Sequence, residues 1–598
     1  MPVLPPIALP VTRLRSLGRR AIAALVALGV AIGLGGCNPA ILDGRTGESR
    51  QLVKVILSNP KTFNAILSKE SPNVFGYTYQ GLVEENPIKG EIEPALAQSW
   101  QIAEGGQRVT FVLREGLKWS DGESLTARDV AFTFNDLIFN EAIPNNLKDS
   151  FRIGPEGQFP QVRALDERRI EFRLPEPFAP LLRSLGVPIM PAHALRASVT
   201  QTDEQGRPQF LSKWGIDTPP GEIVVNGPYQ LARYATNERV VFERNPHYWE
   251  TDEQGNPLPR IERVVWAIVG NQNTQLLRFR AGDLDAMGVS PEFFALLKQQ
   301  AAESDYRIYN GGPDYGTRFI SFNLNQGRRN GEPLIDPVKS AWFNTLNFRK
   351  AVAYAIDRQQ LINTVYRGLG AKQNSPISVQ SPYYNDSVKS YGHAPDRART
   401  LLREAGFQYD SEGKLRDAEG NRVRFTLITN AGNKTREAMA AQIEQDLAQI
   451  GMRVDLNPIE FNVLVNKLSN TLDWECHLLG FTGGNEPNAG ASIWFTDGRL
   501  HSFNQKPQAG QQPLQGRQVA DWEKQIERLY IRAAQTLDEA ERKALYARAQ
   551  QIVQQKLPYI YLVNPLAMHA VRDRVRGIDY SALGGPFWNL EYLTLSPD

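Results

Sequence analysis

Val109, Phe111 and Leu113 alternate with Thr110, Val112 and Arg114, the two-residue period of a strand with one face better buried than the other. Gly116 and the cluster Ser120-Asp121-Gly122 then punctuate the chain as turns. Thr126 is followed three residues later by Asp129, a capping-box spacing with Asp in place of Glu, and Val130, Phe134, Leu137 and Ile138 form one helical face beyond it. Elsewhere the pattern predicts strands at 52–57, 170–174, 261–269 and 320–325, and helices at 74–82 and 272–281. Asp283 and Asp285 follow Gly282; with no third acid or glycine to complete a calcium loop, they read as a turn with a solvated or capping role. From 347 to 366, Val352, Ile356 and Ile362 recur near helical spacing with Arg349, Lys350 and Arg358 off that face, which predicts one long amphipathic helix. A further helix at 395–405 ends at Gly406.

The clearest supersecondary unit lies at 424–456. A strand at 424–428 leads through a turn to a helix at 434–450, with Met439, Ile443, Leu447 and Ile450 on one face; Gly451 ends it and a strand returns at 452–456. A strand, helix and strand of this length imply a parallel pair with a right-handed crossover, which places this part in the α/β class. Helices at 519–536 and 538–556 and a strand at 559–563 follow.

The amino end changes the picture. Arg13, Arg15, Arg19 and Arg20 precede an apolar run at 21–34, which has the length of a signal-peptide core and is too short to span a bilayer comfortably. It ends in Leu34-Gly35-Gly36-Cys37, which resembles a bacterial lipobox, with Cys37 as the lipidated residue. Cleavage before Cys37 removes four arginines and no acid, so the formal net charge moves from +2 to −2. That leaves no electrostatic case for nucleic-acid binding. A chain of 598 residues exceeds what one hydrophobic core supports, so at least two lobes are expected. With Cys37 lipidated only Cys476 remains, and no intrachain disulfide forms.

Catalytic patterns are missing where they are easiest to see: no HExxH, GxSxG, P-loop or CxxC. The six histidines are scattered, with no pair at i, i+4. None of the 65 acids is singled out as half of a catalytic pair.

Several blocks together carry a resemblance. Leu113-Arg114, Lys118-Trp119-Ser120-Asp121-Gly122 and Leu125-Thr126-Ala127 with Asp129-Val130 come first. Asn226-Gly227-Pro228-Tyr229, Gly282-Asp283-Leu284-Asp285 and Arg349 through Ala355-Ile356-Asp357-Arg358 follow in order. The chain resembles the family 5 solute-binding proteins, receptors of peptide and nickel ABC transporters, from about residue 52 to 592. The resemblance implies an α/β, two-lobe periplasmic-binding-protein fold of type II with an extra subdomain in lobe I. It implies a signal peptide at 1–36, a tether at 37–50, lobe I at 51–320 with its subdomain at about 75–220, lobe II at 321–555, and a return to lobe I at 556–598. The implied protein is a monomeric lipoprotein of the periplasm and cell envelope, held to the membrane by its amino-terminal lipid. It would bind a peptide or other small solute without a cofactor or metal, and hand it to ABC permease and ATPase subunits.

In such receptors a loop between the lobes carries an aspartate that pairs with the ligand's α-ammonium group. The matching stretch is Gly480-Phe481-Thr482-Gly483-Gly484-Asn485-Glu486-Pro487. Phe481 takes a tryptophan's place, Gly484 falls where the aspartate is expected, and Asn485 and Glu486 lie just beyond. Either Glu486 takes over, or the ligand is not anchored through a free amino terminus, because a buried ammonium without an ionised partner is costly. Phe461, Trp494 and His477 are further candidates near this loop. On the other lobe the stretch with Ser68 and Glu70 matches the loop whose backbone pairs with extended peptide. A same-fold receptor for a nickel chelate, haem, sugar or opine is the alternative, and a secreted hydrolase a second one.

Overall fold

The computed structural model describes residues 51–68, 73–389, 391–508 and 510–596. The signal-like segment, Cys37, the tether and Glu70 lie outside the described residues. Two mixed sheets, each in its own lobe, organise the rest. In the first, the strands run in the order Tyr306–Pro313, Val563–Arg572, Ala286–Gly288, Gln51–Ile56, Arg263–Ile268, Arg239–Arg244 and Tyr229–Ala235, with Gly370–Lys372 paired to Val563–Arg572. Gln51–Ile56 and Arg263–Ile268 are parallel, Val53 opposite Val265. In the second the order is Arg453–Ile459, Arg424–Asn430, Cys476–Leu479, Phe319–Phe322 and Ile560–Tyr561.

The 424–456 unit forms as the periodicity predicts: Arg424–Asn430 and Arg453–Ile459 are parallel, joined by helix Lys434–Gln449. Met439, Ile443 and Leu447 of that helix are fully buried, where such side chains contribute about 1.5–3 kcal/mol each. Arg108–Leu113 is the expected strand, central in a four-stranded antiparallel sheet with Ala97–Ala103, Arg169–Arg173 and Gln161–Ala164. Thr126 and Asp129 close a true capping box on helix Ala127–Phe132, with Thr126 N donating to Asp129 Oδ2 at 2.8 Å. Phe111, Phe172 and Phe134 of this subdomain share one core cluster with Leu52 and Trp266 of the first sheet. The subdomain is thus fused to lobe I through one interior. Lobe II has its own core around Phe322, Phe343, Phe348 and Phe425.

Four expectations are corrected. The helix expected at 74–82 is only Phe75–Thr78, because Tyr79 turns extended (φ −133°, ψ 148°) and sends its hydroxyl to Val224 O. The helix expected at 347–366 breaks: Leu346–Ala355 ends at an extended Ile356, and Asp357 caps a new turn through Gln360 N. Arg349 and Arg358 are not off the buried face. They are 4% and 5% exposed, their guanidinium groups donating to Lys556 O, Phe343 O, Ala353 O and Tyr561 O. Asp285 is neither solvated nor a cap; it is buried, accepts Val53 N at 2.6 Å and pairs with Arg574 at 2.5 Å.

Two of the chain's crossings between the sheets lie side by side, between Pro313 and Phe319 and between Tyr561 and Val563. Buried Asn564 joins the crossings, donating to Asp314 O at 3.2 Å and Gly316 O at 2.7 Å. No helix among the described residues is long and apolar enough to cross a membrane.

Candidate functional site

The 480–488 loop owes its path to close backbone approach. A Cβ on Gly480 would meet Thr317 O at 2.0 Å, and one on Gly483 would meet Tyr315 O at 1.8 Å. Only glycine lets the loop press onto this crossing strand, where Thr317 N donates to Phe481 O at 2.8 Å. Gly484 is different. A Cβ there would have nothing within 4 Å, because the residue faces a cavity.

That cavity, ≈ 550 Å³, lies between the lobes. Lobe I supplies Tyr77, Gln80, Glu84, Glu85 and the carboxy-terminal Phe587, Trp588 and Glu591; lobe II supplies Gly484, Asn485, Glu486 and Ala489. A second cavity of ≈ 240 Å³ sits inside lobe II and shares Gly484, Glu486 and Ala489 with the first. Its wall is aromatic, with Tyr315, Phe481, Trp494, Tyr530 and Tyr561. Phe481 is half-buried, its ring 5.0 Å from Phe319 and 5.8 Å from Tyr559. Both volumes are compatible with part or all of a small solute.

Around the cavity the lobes touch directly. Asn485 Nδ2 donates to Glu85 Oε1 at 2.7 Å, and Glu85 is also paired with Arg183. Asn488 Nδ2 donates to Ser150 O at 3.1 Å, Arg152 pairs with Asp497 at 2.6 Å, and Ala179 N donates to Ala534 O at 2.8 Å.

Of the residues singled out from sequence, the structure brings Phe481, Gly484, Asn485, Glu486 and Trp494 to these two cavities. Glu486 is already engaged. Its Oε1 accepts from Arg542 Nη2 at 2.6 Å and from Asn488 N at 3.0 Å. Arg542 is itself buried, between Tyr383 and Tyr546. His477 and Phe461 line neither cavity. His477 is fully buried against Trp474 and Phe319, and burial pushes its imidazole down to about 3, so it is neutral. Phe461 opens the helix Phe461–Asn466 and is 38% exposed. Ser68 continues the turn after Asn64, its N–H donating to Asn64 O at 3.2 Å, and lines neither cavity.

Sequence reasoning missed most of the lobe I wall. Glu84 and Glu591 are 507 positions apart, and nothing local in either segment marks them as neighbours. The aromatic run Pro586-Phe587-Trp588 was the available signal. In a third cavity of ≈ 410 Å³, Glu84, Glu85, Trp588 and Glu591 recur as lining residues, so the same wall faces two spaces. Desolvation, with Glu84 and Glu250 adding repulsion, raises the Glu591 carboxyl to about 8. Glu84 keeps an exposed side chain, yet the protein around it strips enough water to raise it to about 7, with Glu250 and Glu93 adding and Arg114 opposing. In an adjoining cavity, the Lys54 ammonium sits 4.2 Å from the Trp266 ring centre and 5.1 Å from that of Tyr77, and burial lowers it to about 8.

The model of the bacterial extracellular solute-binding proteins, family 5, matches residues 91–501. The chain belongs to this family. The receptor is 28% identical over 565 residues to a probable ABC transporter-binding protein of Deinococcus radiodurans, with 90% of each chain covered. Its fold is similar to that of the oligopeptide-binding protein AppA of Bacillus subtilis in complex with a nonapeptide: TM-score 0.74, 20% identity, 92% of this chain and 99% of that one. It is also similar to the periplasmic binding protein MelB of Agrobacterium fabrum in complex with stachyose, at TM-score 0.79 and 21% identity, covering 92% and 85%. The receptor is therefore a two-lobe extracellular solute-binding protein and not an enzyme.

Proposed function

We propose that this receptor is a lipoprotein, anchored through Cys37, that captures a peptide or a related small solute in the interlobe cavity and delivers it to a permease. The observation that carries the reading is the ≈ 550 Å³ cavity walled by both lobes, with the 484–489 loop on the lobe II side and an aromatic cavity opening beside it. Contacts made to both lobes at once exist only in the closed form, so bound solute shifts the population toward closure. Phe481 and Trp494 supply apolar area for side chains of varied shape, and Asn485 and Glu486 border the polar part. Ser68 and Glu70 stand as the proposed backbone-pairing loop of lobe I.

The absence of a carboxylate at Gly484 favours a second reading within the same class, a non-peptide solute, and MelB with its stachyose supports it as a fold-level precedent. Native mass spectrometry of the purified receptor identifies whatever solute it carries. Small-angle scattering before and after saturation is expected to report a more compact envelope. An unaltered envelope on saturation, or turnover of the solute, ends the proposal. For the anchor, Cys37→Ser is expected to move the protein from the membrane fraction to the soluble fraction.

A further inference from the structure

We propose that the solute carries a primary ammonium group and that its anchor is the carboxylate pair Glu84 and Glu591 of lobe I, across the cleft from the loop that lacks an aspartate. The inference rests on the reading of the interlobe cavity as the solute site. Both carboxylates line the ≈ 550 Å³ cavity and the ≈ 410 Å³ cavity beside it. Among the described residues neither has a cationic partner. The nearby cations are committed: Arg183 to Glu85 and Gly90 O, Arg114 to Ala95 O while lying 3.9 Å over the Trp249 ring, and Lys54 to the Tyr77 hydroxyl at 3.3 Å and the Trp266 ring at 4.2 Å.

The opposite wall supplies an independent observation. Glu486, 7% exposed, lines the same cavity from lobe II. Its Oε1 is held by Arg542, but its Oε2 is buried with no hydrogen-bond partner. Buried polar atoms are almost always paired. Glu486 is thus met within lobe II by Arg542, and the carboxylates left without a counter-charge are those of lobe I. The missing charge is the solute's. Tyr77, Phe587 and Trp588 border the same space, and aromatic faces favour an ammonium group. A metal ion is a poorer occupant, since among the described residues no three His, Cys, Asp or Glu side chains converge on one point. Desolvation and the repulsion among these carboxyls raise both, so each holds a proton over part of the neutral range. An arriving ammonium lowers both and releases protons to the solvent.

An ammonium group reaches the cavity either as a peptide's amino terminus or as a free aliphatic amine. Titration calorimetry with Ala-Ala-Ala, N-acetyl-Ala-Ala-Ala and cadaverine separates these. We expect Ala-Ala-Ala, cadaverine or both to bind, with the acetylated peptide at least ~10-fold weaker than its free form. Binding at pH 7 should release protons, read from the dependence of the heat on buffer ionisation enthalpy. The Glu84→Gln/Glu591→Gln double variant should abolish both the preference and the proton release while keeping the wild-type circular dichroism. Preference for Ala-Ala-Ala alone assigns the amino terminus, and binding of cadaverine alone assigns the free amine. Equal binding of free and acetylated peptide overturns the proposal, as does survival of the preference in the double variant. Failure of all three probes at millimolar concentration, or a co-purified solute without a basic nitrogen, also overturns it. The last two results leave the receptor reading standing, because closure on that solute is measured separately.

Discussion

The two walls of the cleft solve the burial of charge in opposite ways. On lobe II, polar groups are largely satisfied within the lobe: Glu486 caps the turn Pro487–Gly490, pairs with Arg542 and receives Asn488 N, and Arg542 also reaches Tyr383 Oη at 2.7 Å. On lobe I, Glu84 and Glu591 face the cavity unpaired while aromatic rings fill the space around them. Lobe II is therefore a largely aromatic surface with little charge to spare. Lobe I holds charge that the folded chain does not neutralise. Such a division lets one wall supply electrostatic attraction while the other supplies shape, with neither required to do both.

The contrast is sharpest at Glu486, where Glu486→Ala would leave Arg542 buried without its counter-charge. We expect a loss of about 3–5 kcal/mol, measured by urea unfolding. A loss below about 1 kcal/mol would mean the pair is not integral to lobe II. Phe481→Ala comes next. Removing a half-buried ring that packs on Phe319 and Tyr559 should cost about 1–2 kcal/mol of stability, as two aromatic contacts are lost. Solute affinity should fall about 10-fold with it, and intact affinity by calorimetry would remove the aromatic wall from the site.

A smaller effect probes lobe I through pH. Glu591 and Glu84 titrate near 8 and 7, above the ordinary 4.5, so between those values the folded state binds more protons than the unfolded state. The two carboxyls therefore make the solute-free protein lose stability gradually as pH rises from about 4.5 to 8. Glu84→Gln/Glu591→Gln should flatten that decline in a melting-temperature profile; an unchanged slope would show that the pair is not the source. The smallest expected change is Gly484→Asp. Open space awaits its Cβ, so stability should shift by no more than about 0.5 kcal/mol. Affinity for Ala-Ala-Ala should rise, and an unchanged affinity would place this position away from the ammonium group.

How far the sequence could be read follows the range of the forces involved. The capping box at Thr126 and the helix ending at Gly282 depend on residues within a few positions, and both formed as expected, Gly282 with φ 91°. The break at Ile356 was not legible. It is organised by Arg349 and Arg358, whose acceptors Lys556 O and Tyr561 O lie some 200 residues on. Two arginines on an amphipathic pattern look solvent-facing until distant carbonyls are brought to them. The site divides the same way. The 480–487 loop was found by its likeness to a family motif, but Glu84 and Glu591 meet only through tertiary folding, and Glu486 was weighed as a ligand contact without knowledge of Arg542.

The strand Val563–Arg572 lies inside the first sheet, between Tyr306–Pro313 and Ala286–Gly288. Lobe I thus opens at Gln51 yet is not closed until almost the whole polypeptide has been made. A stop codon a few dozen positions early would not trim a tail. It would leave a gap in the middle of a sheet, remove Glu591 together with the aromatic residues beside it, and hand the cell's proteases an unfinished lobe instead of a shorter working receptor.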